Sequence, residues 1–119
     1  MERCVRVGMR CLDLGAGSGI LSIAAVRLGA ESVLAVDTDS VAVDNARDNV
    51  GRNGIAPNRI EICHCSLDAV SAREFGLVMA NIQSHILLPL LVPLYEVAAP
   101  GGVVLFSGLL VRELSLIHI

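Results

Sequence analysis

Cys11-Leu12-Asp13-Leu14-Gly15-Ala16-Gly17-Ser18-Gly19-Ile20-Leu21 joins two kinds of pattern in eleven residues. The apolar run Arg10 to Leu14 predicts a strand. A helix is predicted from about Gly19 to Leu28, with Ile20, Leu21, Ala24 and Leu28 on one face and Gly29 as its stop. Between them lies a glycine-rich turn. Glycines let the chain reverse tightly and let a ligand approach the peptide N–H groups, while the helix N-terminus adds partial positive charge. A strand, such a turn and a helix in this order mark the ligand-binding crevice of an open parallel α/β sheet.

Outward from this turn, strand and helix patterns alternate. Ser32 to Val36 predicts the second strand, and Asp39 is placed to cap a helix to about Asn53 whose buried stripe is Val43, Ala46 and Val50. Strands follow at Ile60 to His64 and Leu77 to Ala80, with an ambiguous segment from Leu67 to Phe75 between them. A helix is predicted over much of Leu87 to Ala98, then Pro100-Gly101-Gly102 turns into a fifth strand, Val103 to Ser107. With right-handed crossovers, the expected fold is a Rossmann-like α/β domain of five parallel strands in the order 3-2-1-4-5, with helices on both faces. No repeat, low-complexity run or linker interrupts it.

Composition agrees with one buried core. Of 119 residues 54% are hydrophobic and 18% charged, and the mean hydropathy is +0.67; this is too apolar for disorder. Net charge is −3, and the nine basic residues, all arginine, are scattered along the chain. No basic stripe faces a phosphate backbone, so direct nucleic-acid binding is not expected. The most apolar stretch, Ile82 to Ala99, is interrupted by Gln83, His85, Pro89, Pro93 and Glu96, which argues against a membrane span. Four cysteines without a signal peptide or dense spacing point to a reducing cytoplasm. In Cys63-His64-Cys65, strand alternation puts His64 on the face opposite the two sulfurs, so no metal is expected.

Four positions carry the chemistry. The turn Gly15, Gly17, Gly19 is spaced Gly-x-Gly-x-Gly, and Ile20 stands where a dinucleotide fingerprint needs its third glycine. With Asp13 ahead of it, the turn resembles that of class I methyltransferases, in which it holds the amino-acid part of S-adenosylmethionine. Asp37 ends the second apolar run about 20 residues past the glycines, where an acid accepts both ribose hydroxyl protons. Cys65-Ser66-Leu67 follows the third strand, where such enzymes border the adenine; a plain surface turn is the rival reading of Ser66 and Leu67. Asn81 closes the fourth strand at the sheet's carboxyl edge. Its carboxamide can orient an acceptor amine, making it the candidate catalytic residue, or it can cap the next helix.

Taken together, these residues resemble the catalytic domain of the PrmA family of ribosomal protein methyltransferases over about Glu2 to Glu113. Cys11 to Leu21 resembles the family's cofactor loop, Val36 to Val43 its ribose segment, and Ala80-Asn81-Ile82 its Asn-Ile-Leu-Ala stretch, at the family's distance from Pro100-Gly101-Gly102. The resemblance implies transfer of methyl groups from S-adenosylmethionine to lysine and N-terminal amines of a large-subunit ribosomal protein. Gly76 stands where the family has an aspartate, Ser40 where it has proline, and Gln83-Ser84 where it has Leu-Ala; none of these removes a cofactor contact. Against the family, residues 1–113 correspond to a partial core without the N-terminal recognition domain, the upstream cofactor segment or the final antiparallel strands, and 114–119 leave the family pattern. Another class I methyltransferase, acting on a small molecule or another protein amine, and a cofactor-binding fragment without catalysis remain as rivals, as does a dinucleotide-dependent oxidoreductase, which the glycine spacing disfavours.

Overall fold

The computed structural model describes residues 5–71, 74–81, 93, 96–110 and 113–118. Six strands form one sheet in the order β3-β2-β1-β4-β5-β6. They are β1 (Arg10–Leu14), β2 (Ser32–Asp37), β3 (Ile60–His64), β4 (Phe75–Asn81), β5 (Ala98–Leu110) and β6 (Glu113–His118), with helices α1 (Ile20–Arg27) and α2 (Ser40–Arg52) after the first two. The first five strands pair in parallel, as expected.

β1 is the centre of the fold. Cys11, Leu12, Asp13 and Leu14 are all buried, because a parallel strand is covered on both faces. Alternation then divides the core in two. Cys11 joins Val33, Ala35, Leu77 and Met79 under α1 and α2, whereas Leu12 and Leu14 join Val36, Val78, Ala80 and Val104 on the other face, beside Leu67, Val70 and Val97. Of the helix expected at Leu87 to Ala98, Pro93, Glu96 and Val97 are helical, Ala98 already belongs to β5, and the rest lies outside the described residues.

α2 follows its sequence closely. Asp39 accepts a hydrogen bond from the Val41 N–H at 2.9 Å, and Val43, Ala46 and Val50 are buried. α1 does not present the expected stripe. Its buried residues are Ser22, Ile23, Ala25 and Val26, while Ile20 is 67% exposed. The reason is polar: Ser22, the one hydroxyl in α1, donates to the buried Asp13 carboxylate beneath it at 2.6 Å, and this fixes the helix's rotation. A buried carboxylate without a donor would cost more than the exposure of one isoleucine.

Two further expectations are corrected. β5 starts at Ala98, before the predicted turn, and Pro100-Gly101-Gly102 is a bulge inside it: Phe75 is opposite Ala98, yet Leu77 is opposite Val103. No antiparallel strand was expected, yet β6 pairs antiparallel to β5 with Leu105 opposite Leu116. Most of the segment set apart as a tail thus covers the edge that β5 would otherwise leave unpaired.

Candidate cofactor site

The parallel strands end together, and three chain reversals meet at their carboxyl edge. After Leu14, the Gly15 and Ala16 N–H groups both donate to the Val36 carbonyl, at 2.9 and 3.1 Å, tying the glycine turn to the end of β2. One residue on, the Asp37 carboxylate reaches back to the turn. Its Oδ2 accepts from the Gly17 N–H at 2.9 Å, and its Oδ1 accepts from the Asp39 N–H at 2.9 Å. The turn and the acid, 20 residues apart in sequence, are in direct contact.

The turn needs its glycines. Gly15, Gly17 and Gly19 have φ of 74°, 56° and 80°, in the left-handed region that side chains rarely adopt. They differ in surroundings. A Cβ on Gly17 would meet nothing within 4 Å, so the loop has open space over it, whereas a Cβ on Gly19 would lie 3.3 Å from that of Ala46 on α2.

Asp13 lies beneath this turn, fully buried. Oδ2 accepts from the Ser22 hydroxyl, while Oδ1 is buried with no hydrogen-bond partner among the described residues. Burial pushes its carboxyl up to about 6; the Ser22 side-chain and backbone donors pull the other way, and the nearby Asp37 adds to the rise. Asp13 is therefore a core group that ties β1 to α1, the two elements the turn joins.

The other sequence candidates divide. Cys65 donates its N–H to the Asp37 carbonyl at 3.0 Å, so Cys65-Ser66-Leu67 does border the acid. Ser66 is exposed and its hydroxyl donates to Asp68, but Leu67 is a core residue, 4% exposed, at the start of a 3₁₀ turn Leu67–Ala69. Asn81 ends β4 one residue past Ala80, the partner of Leu14, and stands opposite Ser107. Its backbone is thus at the same edge as the glycine turn; its side chain lies outside the described part. His64 Nε2 meets the Thr38 carbonyl at 2.9 Å, while Cys63 and Cys65 pack against the second core.

Two contributors were not picked out from the sequence. Ser22 was readable as the polar break in the apolar run Ile20 to Val26. Asn49 lies one helical turn after Ala46, and its Nδ2 donates to the Ser18 carbonyl at 2.9 Å; nothing local in the sequence signals a contact across 31 residues.

Among solved structures, the ribosomal protein L11 methylase of Lactobacillus delbrueckii subsp. bulgaricus matches with a TM-score of 0.83 and 41% identity, over 91% of this chain and 55% of that one. TYW2 of P. horikoshii, in complex with MeSAdo, shares the fold alone, with a TM-score of 0.79 at 14% identity over 88% of this chain and 39% of its own. The doubly wound sheet, the Gly-x-Gly-x-Gly turn and the acid after β2 define a class I methyltransferase fold. The family model for ribosomal protein L11 methyltransferase (PrmA) matches residues 1–118. Relatives of that name include one from Symbiobacterium thermophilum, 43% identical over 92% of this chain and 35% of the relative, and one from Thermosipho africanus, 40% identical over 98% and 44%. The chain belongs to the PrmA family, and it spans less than half the length of these curated relatives.

Proposed function

We propose that this chain is the cofactor-binding part of an S-adenosylmethionine-dependent methyltransferase that acts on lysine and N-terminal amines of a large-subunit ribosomal protein in the cytoplasm. The observation that carries the reading is the contact between the Gly17 N–H and the Asp37 carboxylate, which brings the glycine turn and the acid together at the carboxyl edge of the sheet. Family membership narrows the reaction.

The residues fit the cofactor. Open space above Gly17 leaves room for the amino-acid part; the Gly15, Ala16, Gly17 and Gly19 N–H groups are engaged within the fold, so its carboxylate is met by the Ser18 N–H and the N-terminus of α1. Asp37 uses one acceptor site on each oxygen, and a carboxylate has about four, so both ribose hydroxyls can still be accepted. Ser66 and the backbone around Leu67 border the adenine. When bound, S-adenosylmethionine supplies a methyl group on a positively charged sulfur.

What the chain itself contributes is orientation. A lysine amine, with an ordinary pKa near 10.4, must be neutral to attack, so its proton goes to water before transfer. Asn81, at the end of β4 beside the turn, accepts an amine hydrogen and directs the nitrogen lone pair toward the methyl carbon. Holding both reactants in line is worth several kcal/mol of barrier, about 7 to 11 in the best intramolecular cases, and needs no nucleophile on the protein.

The test is incorporation of tritiated methyl groups into purified large-subunit ribosomal protein, by this chain and by a version extended to its relatives' length. The extended enzyme is expected to methylate and its Asn81→Ala variant to lose most of that rate. No incorporation by the extended enzyme would refute the proposed reaction, and an unimpaired Asn81→Ala variant would reduce Asn81 to a cap.

A further inference from the structure

We infer that Asn49 is a positioning residue for the glycine turn, through which α2 holds the amino-acid end of the cofactor site in its binding shape. The inference builds on the cofactor reading above and adds a residue and a division of labour within the site.

The turn has an intrinsic weakness. Ser18 sits between Gly17 and Gly19, both in the left-handed region, and glycine crosses between backbone conformations at little cost. The Gly19 N–H donates to the Ala16 carbonyl at 3.0 Å, which closes the turn on itself but does not stop that closed unit from swinging and carrying the Ser18 N–H away from a ligand. A fixed Ser18 carbonyl stops this. The Asn49 carboxamide supplies the fixing donor at 2.9 Å, in a half-buried position where water competes poorly.

Two more contacts make α2 the frame of the loop. Ala46, three residues before Asn49 and on the same helix face, is close enough to Gly19 that a Cβ there would stand 3.3 Å from its own. At the other end, α2 is anchored to the acid: Asp39, its cap, donates its N–H to Asp37 Oδ1 and accepts from Val41. The ribose acid at the start of α2 and the Ser18 carbonyl near its last turns are thus held by one rigid element. Asp37 already orders the first half of the turn through Gly17; Asn49 ties the second half, closed by the Gly19 N–H on the Ala16 carbonyl, to α2.

A positioning role predicts a ligand-dependent effect. The turn faces the amino-acid part, so loss of Asn49 weakens ligands that carry it and spares those that lack it. Titration of the 119-residue chain with S-adenosylhomocysteine and with 5′-methylthioadenosine, followed by calorimetry, separates the two. Asn49→Ala is expected to bind S-adenosylhomocysteine about three- to tenfold more weakly, the range for one shielded hydrogen bond, with methylthioadenosine unchanged within about twofold. Alanine is a better helix former than asparagine, so α2 itself is not compromised. Asn49→Asp, of the same shape without the donor, is expected to behave alike and serves as the second variant, with thermal melts as the check on folding. Unchanged S-adenosylhomocysteine binding in both variants, or an equal loss for both ligands, would overturn the inference. If the unaltered chain bound neither ligand, the cofactor reading would fail first, and the role of Asn49 with it.

Discussion

Replacing Asp13 by asparagine gives a sharp handle on the buried tie between β1 and α1. Asp13 has a carboxyl pKa of about 6 in the folded chain against an ordinary 3.8, chiefly because it is buried. The folded state therefore holds this proton more tightly than the unfolded chain, and stability falls as pH rises through the interval between the two values. Below about pH 3.8 both states are protonated and there is no penalty. Above about pH 6 the penalty is complete, about 3 kcal/mol at pH 7, of which about 2 accrue between pH 4.5 and 7. That is a large share of the ~6 to 18 kcal/mol expected for a domain of this size. In Asp13→Asn the new carboxamide keeps an acceptor for the Ser22 hydroxyl and carries no charge. Urea unfolding of both proteins at several pH values cancels every other titrating group in the difference. The stability of Asp13→Asn relative to the unaltered chain should rise by about 2 kcal/mol from about pH 4.5 to 7. A difference that stays flat across that range would show that Asp13 is not desolvated as described.

Ser22→Ala leaves both Asp13 oxygens without that hydroxyl and should cost about 1 to 3 kcal/mol at pH 7, with a smaller loss at about pH 4.5, where Asp13 is protonated; denaturant melts at the two pH values check the ordering. Gly19→Ala combines a left-handed backbone with a tight approach to Ala46 and should cost at least about 1 to 2 kcal/mol. Gly51→Ala, inside α2 with open space around it, should gain about 0.5 to 1 kcal/mol, so thermal melts of the two variants should move in opposite directions.

Local pattern was enough wherever local physics rules. β1 and β3 have their predicted bounds, and α2 has its predicted cap and stripe, because short apolar runs set off by turn residues and an Asp before an amphipathic run are signals contained in a few residues. The glycine turn and Asp37 were legible for the same reason, and their meeting follows from β1 and β2 being parallel neighbours. The rotation of α1 was not legible, since it depends on a carboxylate nine residues away whose burial only the sheet creates. Periodicity counted apolar residues and missed that Ser22 had to face inward. The bulge at Pro100-Gly101-Gly102 read as a turn because glycine and proline punctuate both. β6 was hidden by its place at the end of the chain, although Leu114-Ser115-Leu116 alternates as a strand does. The Asn49 contact joins elements 31 residues apart and has no short-range trace.

The central claim is that the glycine turn and Asp37 form a site for S-adenosylmethionine. Calorimetric titration of the chain with S-adenosylhomocysteine, with NADH, and with S-adenosylhomocysteine against an Asp37→Ala variant tests it most directly. Saturable binding of S-adenosylhomocysteine is expected, at least about tenfold weaker in Asp37→Ala once its charge-assisted hydrogen bonds are lost, with no saturable binding of NADH. Saturable binding of NADH with none of S-adenosylhomocysteine would contradict the claim.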